Sequence, residues 1–294
     1  MMPHDAAARA VGLFLLGGIF FVALNAIAKA LTPELGPILV IWARFFFHVL
    51  LAVMLFPSAV VGVVRTPQVA IQVGRSLLLM TSTICNFLAL WYLPLADVSA
   101  IIFTAPLVVA GLAVVFLKER VSAARWVAIV VGMGGAVIIV RPGSGVLGLG
   151  ALLAFGCTLA YSVYQVSTRI LREVEPIVSL IYSGLSGLIL FSLLAPFAWE
   201  MPTPTEWIML ILMGGCGAIG HLFVIMALQR VEASRLSPFT YIQLVWSILA
   251  SVLIFGDIPT MGTLLGAGII VASGLYVWHL NRVETTAASA RAAE

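Results

Sequence analysis

Residues 10–31 read AVGLFLLGGIFFVALNAIAKAL, a run of 22 residues with one charge, Lys29. At about 1.5 Å of rise per residue a helix of this length crosses a hydrocarbon core roughly 30 Å thick. The run is too long for the core of a signal peptide, and no small-residue cleavage site follows, so it is read as a retained span. In lipid every backbone polar group must be paired, within a helix or around a closed barrel. Barrel strands would appear as short alternating segments, and this run does not alternate.

The same pattern continues along the chain. Further spans are expected at 37–56, 69–92, 97–117, 124–140, 147–168, 177–199, 205–229, 235–255 and 261–280, ten in all. Breakers mark the joints: Thr32-Pro33, Thr66-Pro67, Leu93-Pro94, Arg141-Pro142-Gly143, Glu175-Pro176, Pro202 with Pro204, and Pro259. Residues 281–294, rich in Ala, Ser and Thr, are read as a disordered cytoplasmic tail. Charged types make up 9% of the 294 residues and apolar types 62%. Average soluble domains are roughly 25% charged, so lipid must cover much of this surface. The basic residues are scattered, which points away from nucleic acid. Cys85, Cys157 and Cys216 sit in apolar runs, with no disulfide or metal spacing.

Loop charge orients the bundle. With the N-terminus inside, twelve Lys and Arg fall on the inner side, Arg65 and Arg75 among them. Two, Lys29 and Arg141, fall outside. Lys and Arg accumulate on the cytoplasmic side, so both termini are expected there.

The two halves align. A shift of 138 residues lays Ala89-Leu90 on Ala227-Leu228, Ser99 on Ser237 and Glu119 on Asp257. Lys118-Glu119-Arg120 then faces Gly256-Asp257-Ile258, so equivalent loops have exchanged basic character. Five helices per half is an odd number, and the second copy must enter upside down. The expected fold is an all-α membrane protein of two inverted repeats, residues 10–140 and 147–280. Inverted repeats are typical of transporters with a substrate site near the midplane.

Residues 89–101, ALWYLPLADVSAI, followed by Thr104-Ala105-Pro106-Leu107, resemble the fourth-helix motif of the drug/metabolite transporter superfamily. Lys118-Glu119-Arg120-Val121, Gly132, Gly135 and Arg141-Pro142-Gly143 extend the likeness, and the Pro238 region with Asp257 resembles a degenerate second copy. The resemblance covers nearly the whole chain as two EamA-type repeats. It implies a ten-helix carrier of small metabolites in a bacterial inner membrane, working by alternating access. Within that superfamily the chain most resembles the aromatic amino-acid exporters and the S-adenosylmethionine carriers. Amino-acid export is the expected activity, with import or exchange of a metabolite such as S-adenosylmethionine as the alternative. Asp257 stands where the family usually has Glu.

Ionisable groups within spans are costly and invite a functional reading. Arg44 lies about 12 Å inside the second span. It is read as a clamp for a substrate carboxylate, against a structural role tying helix ends. His48, one turn later, and His221 either line the pathway or are buried neutral imidazoles. Asn25, Asn86, Gln165 and Gln243 either line a polar cavity or bond neighbouring helices. Trp42, Tyr161, Tyr164, Tyr241 and Trp246 would stack an apolar or aromatic substrate body, or simply pack. Lys29 near the outer interface is explained by snorkelling. Glu119 and Asp257 are read as structural caps, and Pro106 and Pro238 as kinks that permit rocking. No nucleophile–base pair, metal-ligand spacing or phosphate loop appears, so neither an enzyme nor a cofactor or metal is expected; an integral-membrane lipid enzyme is a remote alternative. The expected partners are a small-molecule substrate and membrane lipid, and the expected unit is a monomer.

Overall fold

The computed structural model describes residues 4–108, 123–140, 146–231 and 233–291. They form helices and connecting turns, with no strand among the described residues. Helix α1 spans His4–Leu55 and bends at Gly36 (φ 70°, ψ 158°) between Pro33 and Pro37. Pro37 drives the residue before it out of the helical region, and only glycine adopts a positive φ there cheaply. The two arms of α1 are therefore the first two expected spans. The short α2 (Ala59–Arg65) occupies part of what reads as a loop. There follow α3 (Val69–Tyr92), α4 (Leu95–Ile102), α5 (Ala123–Val140), α6 (Val146–Ile170), α7 (Pro176–Leu194), α8 (Pro204–Arg230), α9 (Ala233–Phe255) and α10 (Met261–Arg291).

Two of the expected boundaries change. Helix α10 continues through Arg291, where the sequence suggested a disordered tail from 281 onward. Residues 287–291 include three alanines, the strongest helix formers, and the helix propagates from the span into them. The fourth span does not run unbroken. Helix α4 stops at Ile102, a turn occupies Phe103–Thr104, and helical backbone resumes at residues 105–108. Pro106 has no N–H to give the Ile102 carbonyl, which accounts for the break. Hydroxyls gather on the neighbouring carbonyl: Thr104 Oγ1 donates to Ile101 O at 2.7 Å, and Thr158 Oγ1 of α6 approaches the same oxygen at 3.4 Å. The second half does not copy the break, because the α9 backbone stays helical through Pro238.

Packing follows the repeat. Helix α3 lies against α6 and α7, while α8 lies against both arms of α1. Exchanging the halves converts one set of contacts into the other. The second arm of α1 pairs with α7, and α5 with α10, each pair mapping onto itself. Close approach is set by glycine. An added Cβ at Gly17 would stand 3.0 Å from Gly220 O, and one at Gly220 3.2 Å from Gly17 O. Gly135 and Gly266 oppose each other in the same way, with 2.8 Å from a Gly135 Cβ to Gly266 O. Lipid supplies no hydrophobic drive between helices, so small residues that let backbones touch hold the bundle through dispersion.

Candidate substrate-binding site

Arg44 and His48 project from one face of the second arm of α1, one turn apart. Both are buried, at 3% and 0% exposure. Helix α8 can pack tightly over them because it presents glycines: a Cβ on Gly214 would stand 3.2 Å from the His48 backbone nitrogen. About two turns further along, α8 brings in His221. Arg44 Nη2 donates to His221 Nε2 at 2.9 Å, and His48 Nε2 donates to Leu180 O of α7 at 3.1 Å. Tyr164 of α6 meets the His221 ring edge-on at 5.9 Å between centroids and stacks with Tyr161 at 5.7 Å.

Arg44 Nε and Nη1 are buried without a hydrogen-bond partner, and so are Nδ1 of His48 and Nδ1 of His221. Among the described residues no carboxylate lies within ion-pair distance of Arg44; the ion pairs formed between described residues, Lys29–Asp257 and Arg172–Glu173, lie elsewhere. A buried guanidinium with two open donors suits a planar anionic group, which it can grip with parallel bonds.

Arg75 is the residue that sequence reading misplaced. It falls among the inner-side charges, yet it is 1% exposed, the largest fully buried side chain among the described residues. Its guanidinium donates to Thr168 Oγ1 at 3.0 Å, to Ser183 Oγ at 2.8 Å, and to Ser179 O, and lies 5.1 Å from the Tyr164 ring centroid. Gln72, one turn away, donates to Ser179 Oγ at 3.0 Å. Two signals in the sequence mark this hub. Arg75 falls six residues inside its own span, and Ser179 and Ser183 stand one turn apart on the helix that receives it.

The remaining candidates separate. Asn86 Nδ2 donates to Asn25 Oδ1 at 2.8 Å, tying α3 to the first arm of α1, and Asn86 Oδ1 stays unpartnered. Gln243 is buried against Gly18, where an added Cβ would come 2.5 Å from the side chain. Tyr241 is buried with its hydroxyl close over Gly274 and without a partner. Gln165 is half-buried on α6. Trp42 lies on the opposite side of its helix from Arg44. It stacks on Phe46 at 4.8 Å, meets Trp199 edge-on at 5.4 Å, and donates to Ser192 Oγ at 3.2 Å. Trp246 is 44% exposed in a stripe with Ile242, Val245 and Leu249, and so faces outward from the bundle.

The charges at the other end of the bundle also differ from expectation. Lys29 does not snorkel: its ammonium lies 3.4 Å from Asp257 Oδ2 and donates to Leu93 O at 3.1 Å. Asp257 thus pairs with the first half instead of serving only as a local cap. Thr263 Oγ1 donates to Asp97 Oδ1 at 2.6 Å beside it. Glu119 lies outside the described residues.

Comparison with known proteins agrees with this architecture. The EamA-like transporter family model matches residues 8–141 and again 148–279, one copy per half. An S-adenosylmethionine uptake transporter of Rickettsia conorii is 28% identical over 271 residues, covering 91% of each chain. A riboflavin transporter of Vibrio cholerae is 28% identical over 90% of each, and a pseudopaline exporter of Pseudomonas aeruginosa 26% identical over 92% of this chain and 96% of that one. A solved crystal structure superposes with a TM-score of 0.68 over 92% of this chain and 97% of its own, at 20% identity, a likeness of fold alone. With both halves matched to one family model and full-length relatives that transport small molecules, the chain belongs to the EamA-like transporter family.

Proposed function

We propose that this chain is a secondary transporter of the bacterial inner membrane, with both termini in the cytoplasm, that moves a small metabolite bearing a carboxylate by alternating access. The observation that carries the reading is Arg44, buried at the seam between the halves with Nε and Nη1 open and no carboxylate of the described residues beside it. A buried charge left uncompensated is expensive, and a carboxylate-bearing ligand offsets that cost when it binds.

Ties between the halves at both ends support the rocking scheme. Lys29–Asp257 and Asp97–Thr263 join them at one end; Arg75 and Gln72 join α3 to α6 and α7 towards the other. Alternating access requires each set to loosen in turn. Amino-acid export, from the family resemblance, and S-adenosylmethionine uptake, from the names of the relatives, share one recognition chemistry, because both substrates carry an α-carboxylate. Of the two relatives at 28% identity, one is named for S-adenosylmethionine uptake and the other for riboflavin, and only the first of these substrates carries a carboxylate. Counterflow of radiolabelled S-adenosylmethionine and of amino acids in proteoliposomes tests the reading: saturable exchange that decarboxylated analogues fail to compete supports it, and equal competition by those analogues removes the carboxylate from recognition.

A further inference from the structure

The partners of the two buried histidines fix where their protons sit. Arginine only donates, so His221 Nε2 must accept from Arg44 and the His221 proton lies on Nδ1. A carbonyl only accepts, so His48 Nε2 carries its proton to Leu180 O and His48 Nδ1 is a bare lone pair. The rings are 5.8 Å apart between centroids, and neither Nδ1 has a partner. The unmet groups of these three side chains are therefore three donors (Arg44 Nε, Arg44 Nη1 and His221 Nδ1–H, the last on the side of its ring turned away from Arg44) and one acceptor, His48 Nδ1. Gly217 of α8 faces that acceptor, and a Cβ added there would touch it at 3.8 Å.

A simple carboxylate on Arg44 Nε and Nη1 would leave the His48 lone pair unmet. An amine without a carboxylate would leave three donors unmet and place its charge beside a guanidinium. Unmet buried groups are costly, so a ligand is favoured in proportion to how completely it pairs the set. We infer that His48 Nδ1 accepts a hydrogen bond from the ammonium of an α-amino-acid head whose carboxylate lies on Arg44. The inference rests on the role proposed for Arg44 and narrows the substrate from carboxylates in general to those with a free α-amino group. The substrate's side chain is left to the aromatic surroundings, Tyr161 and Tyr164 among them.

The experiment uses purified full-length protein and two ligand series, read by ligand-dependent thermal shift and by competition in proteoliposomes. One series is L-phenylalanine, 3-phenylpropionate and phenethylamine. The other is S-adenosylmethionine, its deaminated 2-oxo acid and its decarboxylated amine. Two variants accompany the wild type. In His48→Gln the amide nitrogen stands where Nε2 was, so the bond to Leu180 O survives and the acceptor is lost. In His48→Asn the amide oxygen stands where Nδ1 was, so the acceptor survives. The wild type is expected to favour the complete amino acid of at least one series over both analogues by 10-fold or more. His48→Gln should lose the preference over the deaminated acid and keep that over the amine, whereas His48→Asn should keep both. A wild type that binds the deaminated acid as well as the amino acid overturns the inference, and that comparison stands whether or not either variant folds. A His48→Gln protein that retains the preference overturns it too. Equal binding of the amine instead overturns the carboxylate role of Arg44, and a flat response to both series overturns both readings.

Discussion

Arg44 and His221 meet across the seam of the two halves, Arg44 on the second arm of α1 and His221 on α8, through one 2.9 Å bond from Nη2 to Nε2. That bond uses one corner of the guanidinium and leaves Nε and Nη1 free. It also holds the guanidinium plane in place before a ligand arrives, which lowers the ordering cost of binding.

Replacing Arg44 should therefore act on substrate affinity. A hydrogen bond to a charged group contributes about 1.5–3 kcal/mol, so Arg44→Ala is expected to raise the half-saturation concentration for transport by roughly 10- to 150-fold. Arg44→Lys keeps the charge but not the fork and should recover only part of this. Concentration-dependent initial rates in proteoliposomes check it; an unchanged half-saturation for Arg44→Ala would remove Arg44 from the site.

Arg75 should behave differently. Its bonds to Thr168, Ser183 and Ser179 O join α3 to α6 and α7, so its loss is a loss of packing between the halves. Arg75→Ala should cost about 3 kcal/mol of stability, read as a lower unfolding temperature in detergent, while the protein that stays folded keeps its preference for carboxylates.

The crossing of α5 and α10 gives a paired test. A Cβ at Gly266 would collide with the Gly135 carbonyl and the Ile139 side chain, whereas at Gly268 it would meet nothing within 4 Å. Gly266→Leu should destabilise by about 1–3 kcal/mol, and Gly268→Leu by less than about 0.5 kcal/mol. Thermal unfolding of the two variants side by side decides it; equal shifts would mean the crossing is not close-packed.

The Lys29–Asp257 pair is partly open to solvent, with 18% and 36% side-chain exposure, so screening limits its worth. A double-mutant cycle on Lys29→Ala and Asp257→Asn should return a coupling below about 1 kcal/mol that shrinks in high salt.

Orientation is testable by labelling. In a cysteine-free background, Glu200→Cys should react with a membrane-impermeant maleimide added outside intact cells. Arg172→Cys should react only after the membrane is opened. The reverse pattern would invert the proposed topology.

The spans and the two halves were legible because hydropathy, breakers and loop charge are sequence-local quantities. Which face of a span turns inward was not. Lipid is as apolar as a leucine-rich core, so Trp246, which faces outward, and Tyr241, which faces inward, look alike in sequence. Arg75 was hidden by its nearness to a loop: six residues into a helix is only about 9 Å, within reach of a snorkelling side chain. Lys29 was misread by the same reasoning, since its partner Asp257 is 228 positions away in a loop that only the inverted repeat brings close. Arg44 stood out as a candidate because a charge deep in a span is costly, whereas for His48 and His221 the sequence leaves a pathway role and a buried neutral imidazole both open.

Carriage of a carboxylate-bearing metabolite depends on Arg44. Counterflow in proteoliposomes, with S-adenosylmethionine or an amino acid inside and tracer outside, tests it most directly. Saturable tracer accumulation is expected in the wild type, not competed by the decarboxylated amine and strongly reduced at the same substrate concentration in Arg44→Ala. Accumulation that the decarboxylated amine competes as well as the parent compound, or that persists unchanged in Arg44→Ala, would contradict it.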